Sequence, residues 1–250
     1  MFVNRITHLP ILILSLFLSA DLSAQTGSAP KWEAGINAGA YMYQGDLTIH
    51  PIGSKETIRQ GAGISVTRII NRIFSARLMF NMANLAGDES IYANPKFRRH
   101  RNLAFNASVK ELTLSFHWNV LGSGYEDAKY QPYVFAGAGA SFVNVNRDYS
   151  RFDTSYYGPE SAVQKGLAQD IATPTPHVLA VVPVGAGIRY HISEKLVLNL
   201  EGSYRLMNND YLDGFSKSAN TDMKDHYSSL TVGIAYKFGA KEKYGCPTVN

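Results

Sequence analysis

The sequence predicts an all-β fold, an eight-stranded antiparallel transmembrane β-barrel of the outer-membrane class with a filled polar lumen. The first indication is the last regular stretch, residues 231–238. It alternates strictly between apolar and polar or small residues, as a strand with one side in lipid requires. The second indication is that eight stretches of this kind occur. The third is that short and long connections alternate between them, which is typical of short periplasmic turns and long extracellular loops.

Residues 1–24 have the pattern of a secretory signal peptide. A short basic region precedes an apolar run at residues 10–18, and small residues follow it. The run is too short to span a bilayer, and a buried N-terminal helix is the alternative. We therefore expect the barrel to comprise residues 25–238 and a periplasmic tail to comprise residues 239–250.

Eight stretches carry the alternation. In the seventh, Leu198 and Leu200 share one face, while Glu201 and Arg205 share the other, so that one face suits lipid and the other a lumen. No segment after the signal peptide reaches the ~20 apolar residues of a membrane helix, but a barrel strand needs an apolar residue only at every second position. The predicted strands are 32–43, 60–70, 73–85, 103–120, 130–146, 177–191, 195–207 and 226–238.

The lengths of the connections predict the orientation of the barrel. Three connections are short, at residues 71–72, 121–129 and 193–194, and the other four are long. With an even number of strands, this pattern places both termini on the periplasmic side and the long loops outside. The long loops are 44–59, 87–102, 147–176 and 208–225.

Charged residues of both signs occupy inward positions of the predicted strands. An eight-stranded barrel is only wide enough to be filled by its side chains, and leaving a buried charge without a partner is strongly destabilising. We therefore expect ion pairs that plug the lumen, and a small pore lined by these charges is the alternative. The residues are Glu33, Arg77, Glu111, Arg189, Glu201 and Arg205.

The C-terminal end carries two candidate recognition features. Gly233, Tyr236 and Phe238 resemble the signal by which outer-membrane barrels are recognised for insertion. Cys246 is the only cysteine, which excludes an internal disulfide and predicts a free thiol or an intermolecular bond in an exported chain. We hypothesise that Cys246 tethers the barrel to a periplasmic or lipoprotein partner, and an unpaired tail cysteine is the alternative.

The second long loop holds the densest basic cluster, which consists of Lys96, Arg98, Arg99 and Arg101. In an extracellular loop these side chains can bind lipopolysaccharide phosphates through charge-assisted hydrogen bonds. A solvated loop without a ligand is the alternative.

Signals of other activities are weak. The net charge of +4 is mild and does not indicate nucleic acid. The sequence has no nucleophile motif, no phosphate-binding glycine loop and no metal-ligand spacing. We therefore predict no catalytic residue, no cofactor and no metal.

Several short segments occur in a characteristic order, at residues 43–47, 102–112, 131–137, 209–213 and 244–247. Together they resemble the PorG-like family of small outer-membrane barrels, which is associated with the type IX secretion system of the Bacteroidetes group. The resemblance covers nearly all of the mature chain. It implies a non-enzymatic barrel that anchors a periplasmic secretion assembly, with PorK/PorN-type ring or lipoprotein components as partners. The alternatives are a surface barrel that binds lipopolysaccharide or an external ligand through its long loops, and a lipid-modifying enzyme at the rim.

Overall fold

The computed structural model describes residues 32–49, 53–121, 129–207, 211–219 and 224–239. Within them, eight antiparallel strands close into a barrel in which each strand pairs with its neighbours in the chain and β1 pairs with β8. The predicted eight-stranded antiparallel barrel is confirmed. The strands are β1 (Trp32–Gln44), β2 (Arg59–Ile69), β3 (Phe74–Asp88), β4 (Ala104–Asn119), β5 (Tyr130–Asp148), β6 (Val178–His191), β7 (Leu196–Met207) and β8 (His226–Phe238).

Two strands run further toward the long loops than their alternation predicts. β3 ends at Asp88 and β5 at Asp148, whereas the pattern predicts ends at residues 85 and 146. Both ends pair with Ala104 at the start of β4. Hydrogen bonds to a neighbouring strand therefore extend these strands, and such bonds leave no mark in the pattern of a single strand.

Short helices lie within the long connections. The Ser161 side chain accepts a hydrogen bond from the backbone N–H of Gln164 and so caps the longest of them. No helix in the described part of the chain has the length and apolarity that crossing a membrane requires. The helices are α1 (Phe97–Arg101), α2 (Thr154–Tyr157), α3 (Ala162–Ala172) and two single-turn 3-10 helices, Lys55–Thr57 and Glu89–Ile91.

The outward face of the barrel is an apolar belt. Ile36 and Ile64 are 62% and 60% exposed, and every strand contributes residues of this kind. Soluble monomers rarely expose contiguous apolar patches larger than a few hundred Å², whereas strands that face lipid require them. One exposed residue from each strand illustrates the belt: Ile36, Ile64, Leu78, Phe116, Val134, Val182, Leu200 and Val232.

Glycines allow the strands to approach closely at inward positions. A Cβ added at Gly39 would lie 2.1 Å from the backbone oxygen of Leu230, and one at Gly139 would lie 2.2 Å from that of Leu112. Both distances are far below van der Waals contact, so these positions require glycine. The interior stays narrow as a result.

The end of β8 provides a test of the two faces. Phe238 points outward and is 42% exposed, whereas Lys237 points inward, where its Nζ lies 3.0 Å from Nδ1 of His191. We expect Phe238→Asp to lower the yield of folded barrel in the membrane fraction far more than Lys237→Gln. A charge near the interface costs only about 0–1 kcal/mol at equilibrium, so the main loss should occur in recognition during assembly. Heat-modifiable electrophoretic mobility measures the yield, and equal yields for the two variants would contradict the expected role of Phe238.

Candidate functional site

The six predicted lumen residues meet as oppositely charged pairs. Each pair joins two strands that are not hydrogen-bonded neighbours, so it crosses the lumen. The pairs lie at three levels, from the second residue of β1 to the tenth residue of β7. Charges therefore close the interior over much of its length. The pairs are Glu33 with Arg189, Arg77 with Glu201, and Glu111 with Arg205.

The middle pair is fully supported by hydrogen bonds. Nη1 of Arg77 lies 2.7 Å from Oε2 of Glu201, and its Nε donates to the Thr67 hydroxyl at 3.3 Å. The Tyr133 hydroxyl donates to the same Glu201 oxygen at 2.6 Å. A cavity of about 20 Å³ adjoins the pair beside Asn37, which is room for about one water molecule.

The pair on the loop side is the most deeply buried. Nε of Arg205 lies 3.5 Å from Oε1 of Glu111, and both side chains are 2% exposed. Hydrogen bonds reach each charge from other side chains: Nη1 of Arg205 donates to the hydroxyls of Ser203 and Ser229, and the Tyr227 hydroxyl donates to Glu111. Nε of Arg205 and Oε1 of Glu111, which face each other, have no hydrogen-bond partner among the described residues. The Arg205 guanidinium also lies 5.5 Å from the centre of the Tyr227 ring, within range of a cation–π interaction.

The loop-side end of the interior is hydrophobic. Apolar residues of all four long connections turn inward and pack on inward-facing residues of the strands. The predicted polar lumen is therefore correct at the levels of all three ion pairs, whereas the mouth above them is hydrophobic, because a hydrated mouth would leave these apolar strand residues in water. The loop residues are Leu47, Leu103, Leu167, Leu212 and Phe215, and the strand residues include Phe105, Val109, Val143, Val181 and Met207.

A tyrosine and two aspartates lock the fourth loop onto this mouth. The Tyr43 hydroxyl lies 2.7 Å from Oδ2 of Asp213 and 2.5 Å from Oδ1 of Asp225. The other Asp225 oxygen accepts the backbone N–H of Leu212 at 2.9 Å. A phenol has one proton to donate, so the second short contact requires a proton on one of the carboxyl groups. Burial, reinforced by the charge of Asp225, raises the pKa of Asp213 well above its usual range.

The structure corrects the prediction for half of the basic loop. Arg101 is 6% exposed and its Nε lies 2.9 Å from the fully buried Glu89, while Nη1 of Arg98 lies 3.0 Å from the same carboxylate. Residues three apart share one face of a helix, and that face of α1 turns toward Glu89. Only Lys96 and Arg99 are exposed, so Arg98 and Arg101 hold the loop in place and are not available to a ligand.

Aromatic side chains cover the outer surface beside α1. The Tyr156 ring stacks on His100 with centroids 3.8 Å apart, and Asp153 lies 2.9 Å from Nδ1 of His100. Tyr156 remains 54% exposed and Tyr149 40% exposed. With Arg99 of α1 and Lys96 at its N-cap, Tyr156 forms an exposed surface that a ligand can reach.

The predicted features of the C-terminal end are only partly described. Tyr236 and Phe238 point outward, with exposures of 48% and 42%, and Gly233 points inward opposite Asn37 of β1. Cys246 lies outside the described residues, as do the predicted signal peptide and the predicted tail from residue 240.

A family model described as a domain of unknown function, DUF6089, matches residues 7–247. The chain belongs to the DUF6089 family. The resemblance of this DUF6089 member to the PorG-like barrels stays a prediction. No protein of curated function matches the sequence.

Several solved outer-membrane proteins are similar to this DUF6089 member. Neisserial surface protein A has 14% identity and a TM-score of 0.47, with 86% of this chain and 100% of that chain covered. Ail, the attachment invasion locus protein of Yersinia pestis, has 11% identity and a TM-score of 0.46, with 84% and 100% covered. OprG of Pseudomonas aeruginosa has 12% identity and a TM-score of 0.43, with 85% and 99% covered. At these scores, the similarities carry no inference about function.

The contact between Tyr43, Asp213 and Asp225 includes a protonated carboxyl group, so the stability of the barrel should depend on pH. Above the usual pKa of 3.8, unfolding releases a proton from Asp213, so the free energy of unfolding should fall as the pH rises through the raised pKa. The slope for one proton is at most about 1.4 kcal/mol per pH unit. We expect Asp213→Asn to flatten this dependence, whereas Glu160→Gln, at an exposed carboxylate, should leave it unchanged. Urea titrations of the barrel in vesicles from about pH 5 to about pH 9 measure the slope, and equal slopes for wild type and Asp213→Asn would disprove the shared proton.

Proposed function

We propose that this DUF6089 member is a non-conducting, non-enzymatic barrel of the bacterial outer membrane that anchors a periplasmic protein-secretion assembly of the type IX kind. The observation that carries the proposal is the closed interior, which paired charges cross at three levels and a hydrophobic cluster seals at the mouth. A barrel without a path through it acts through its two ends. The apolar belt supplies the contact with outer-membrane lipid.

Three segments of the PorG-like resemblance meet where the Tyr43 hydroxyl contacts Asp213 and Asp225, and this meeting supports the anchor role. Tyr43, Phe105 and Asp213 come from three different segments of that resemblance. The Tyr43 ring packs edge-on against Phe105 with centroids 4.8 Å apart, and its hydroxyl bonds to Asp213, 170 residues away. The segments therefore share one structural task, the closure of the loop-side end, and leave the opposite end for partners.

The opposite end suits a periplasmic partner. Its turns are short, and Arg72, Lys129 and Lys195 are exposed there. The tail that carries Cys246 begins at the same edge, after Phe238. We assign this end and both termini to the periplasm and propose that a ring or lipoprotein component docks here.

Surface binding through the long loops is the second candidate function. Arg99 projects from α1 and Lys96 from the N-cap position before it, and the half-exposed Tyr156 ring stacks on the neighbouring His100. Cations and aromatic faces of this kind bind phosphates and sugars. The ligand of this surface would be lipopolysaccharide or an external molecule.

Deletion of residues 240–250 separates the two functions. We expect the deletion to abolish co-purification of periplasmic proteins with the tagged barrel after mild detergent extraction, as measured by mass spectrometry, because the tail is the proposed contact. The double variant Lys96→Gln with Arg99→Gln should retain those proteins. Retention of every periplasmic protein after the deletion would contradict the anchor and leave surface binding as the candidate function.

Cys246→Ser tests the covalent form of the contact. Freshly alkylated wild-type cells should show a higher-mass species on a non-reducing gel that collapses on reduction and is absent in the variant. The oxidising periplasm allows such a bond to persist. A wild type that runs only as the monomer would disprove the tether while leaving non-covalent anchoring to the deletion experiment.

A further inference from the structure

Lys110 is an exception on the outward face of the barrel. It is the only charged residue at the outward positions of the described strands that lies more than one residue from a strand end. Arg68, Asp88 and Asp148 also point outward, but they lie at or next to the ends of their strands. Lys110 lies seven residues into β4 and is exposed, and the residues on either side of it are buried, which fixes its outward direction.

Uncharged polar residues adjoin Lys110 on the loop side. In the sheet register, Lys110 lies between Met82 of β3 and Phe142 of β5. The next two outward rows toward the loops are polar and exposed except at Ala86 of β3, which is 3% exposed. No hydrogen bond or ion pair joins the polar side chains of these rows to another described residue. We call these residues the polar rows: Asn84, Ser108 and Asn144 in the first, and Asn106 and Asn146 in the second.

The position of Lys110 matches the edge of the lipid-facing band. Trp118 marks the opposite edge on the same strand and is 49% exposed. The two positions are eight residues apart, which at ~3.4 Å per residue and a strand tilt of about 35–45° corresponds to a height of roughly 20 Å. The band is about 25 Å tall, so the Lys110 side chain can extend along the strand to the polar rows while its stem stays among apolar side chains.

We propose that Lys110 and the polar rows bind the phosphorylated sugar head group of a glycolipid of the lipopolysaccharide type, in the leaflet on the long-loop side. The ammonium group pairs with a phosphate, the asparagine amides and the Ser108 hydroxyl bond to sugar hydroxyl and amide groups, and Met82 and Phe142 contact acyl chains. The site lies on the barrel wall and is distinct from the loop surface around α1. It goes beyond the anchor function and rests only on the membrane setting and on the outward orientation of the long loops.

The composition of the site favours a sugar head group over a phospholipid. One cation provides a single strong phosphate contact, whereas the polar rows provide four amides and one hydroxyl. A phospholipid head group would leave most of these groups to water. A phosphorylated disaccharide has enough donors and acceptors, and enough length, to reach both rows.

Binding of purified lipid A to the full-length barrel in detergent tests the proposal, with native mass spectrometry to count bound lipid. We expect wild type to bind bisphosphorylated lipid A, dephosphorylated lipid A to bind about tenfold more weakly, and phosphatidylglycerol to compete poorly. Lys110→Gln should weaken lipid A binding about tenfold, the conservative Lys110→Arg should restore it, and Arg68→Gln at the opposite edge should have no effect. Heat-modifiable mobility confirms that each variant is folded.

Three outcomes would overturn the proposal: a Lys110→Gln variant that binds lipid A like wild type, equal competition by phosphatidylglycerol, or no binding by wild type. A tag inserted near Asn94 tests the orientation separately, because an impermeant reagent should label it on intact cells. Absence of that label, with lipid A binding intact, would move the site to the inner leaflet and overturn the assignment to lipopolysaccharide.

Discussion

The structure depends on the narrowness of an eight-stranded barrel. Because the exterior must be apolar, every charge on the strands between their ends turns inward, with Lys110 as the exception among the described strands. Inside the narrow lumen, opposite charges then face each other, and nearby hydroxyl groups supply further hydrogen bonds. Arg77 and Arg205 each reach across the lumen to a glutamate of a non-neighbouring strand, so the ion pairs connect opposite walls of the closed barrel.

The loop-side end of the same narrow interior is closed by hydrophobic packing and not by ion pairs across the lumen. Above Arg205 most inward residues are apolar, and the loops cover them with their own apolar side chains. Arg147 is a charged exception that donates to the backbone oxygens of Asp170 and Gly214 in the third and fourth loops. Tyr43 and Asp213 then fasten the fourth loop, and Glu89 with Arg101 fastens the second. The described parts of the loops therefore close the barrel where they emerge, which suits an anchor whose partners bind at the other end or a surface that binds a ligand.

Much of the fold can be predicted from the sequence because, in a strand with one side in lipid, every second residue is apolar. The residues between these apolar positions point inward, so the charged residues of the lumen can be identified from the local pattern alone. The parts that could not be predicted depend on distant segments. Nothing near Arg101 indicates that Glu89 is buried beneath α1, and nothing near Tyr43 indicates that Asp213 and Asp225 meet its hydroxyl. The hydrophobic mouth could have been predicted, because inward residues near it, such as Val109 and Val143, are as apolar as the outward ones.

A double-mutant cycle on Glu111 and Arg205 tests the central claim most directly, with the free energy of unfolding measured by urea titration in lipid vesicles. Glu111→Gln and Arg205→Met each leave one buried charge without its counter-charge, and each should cost about 3–5 kcal/mol. The double variant removes both charges, so we predict a loss far smaller than the sum of the two single losses. Additive losses would contradict the account, because they would mean that the two side chains stabilise the barrel independently and that charge pairing does not hold it closed.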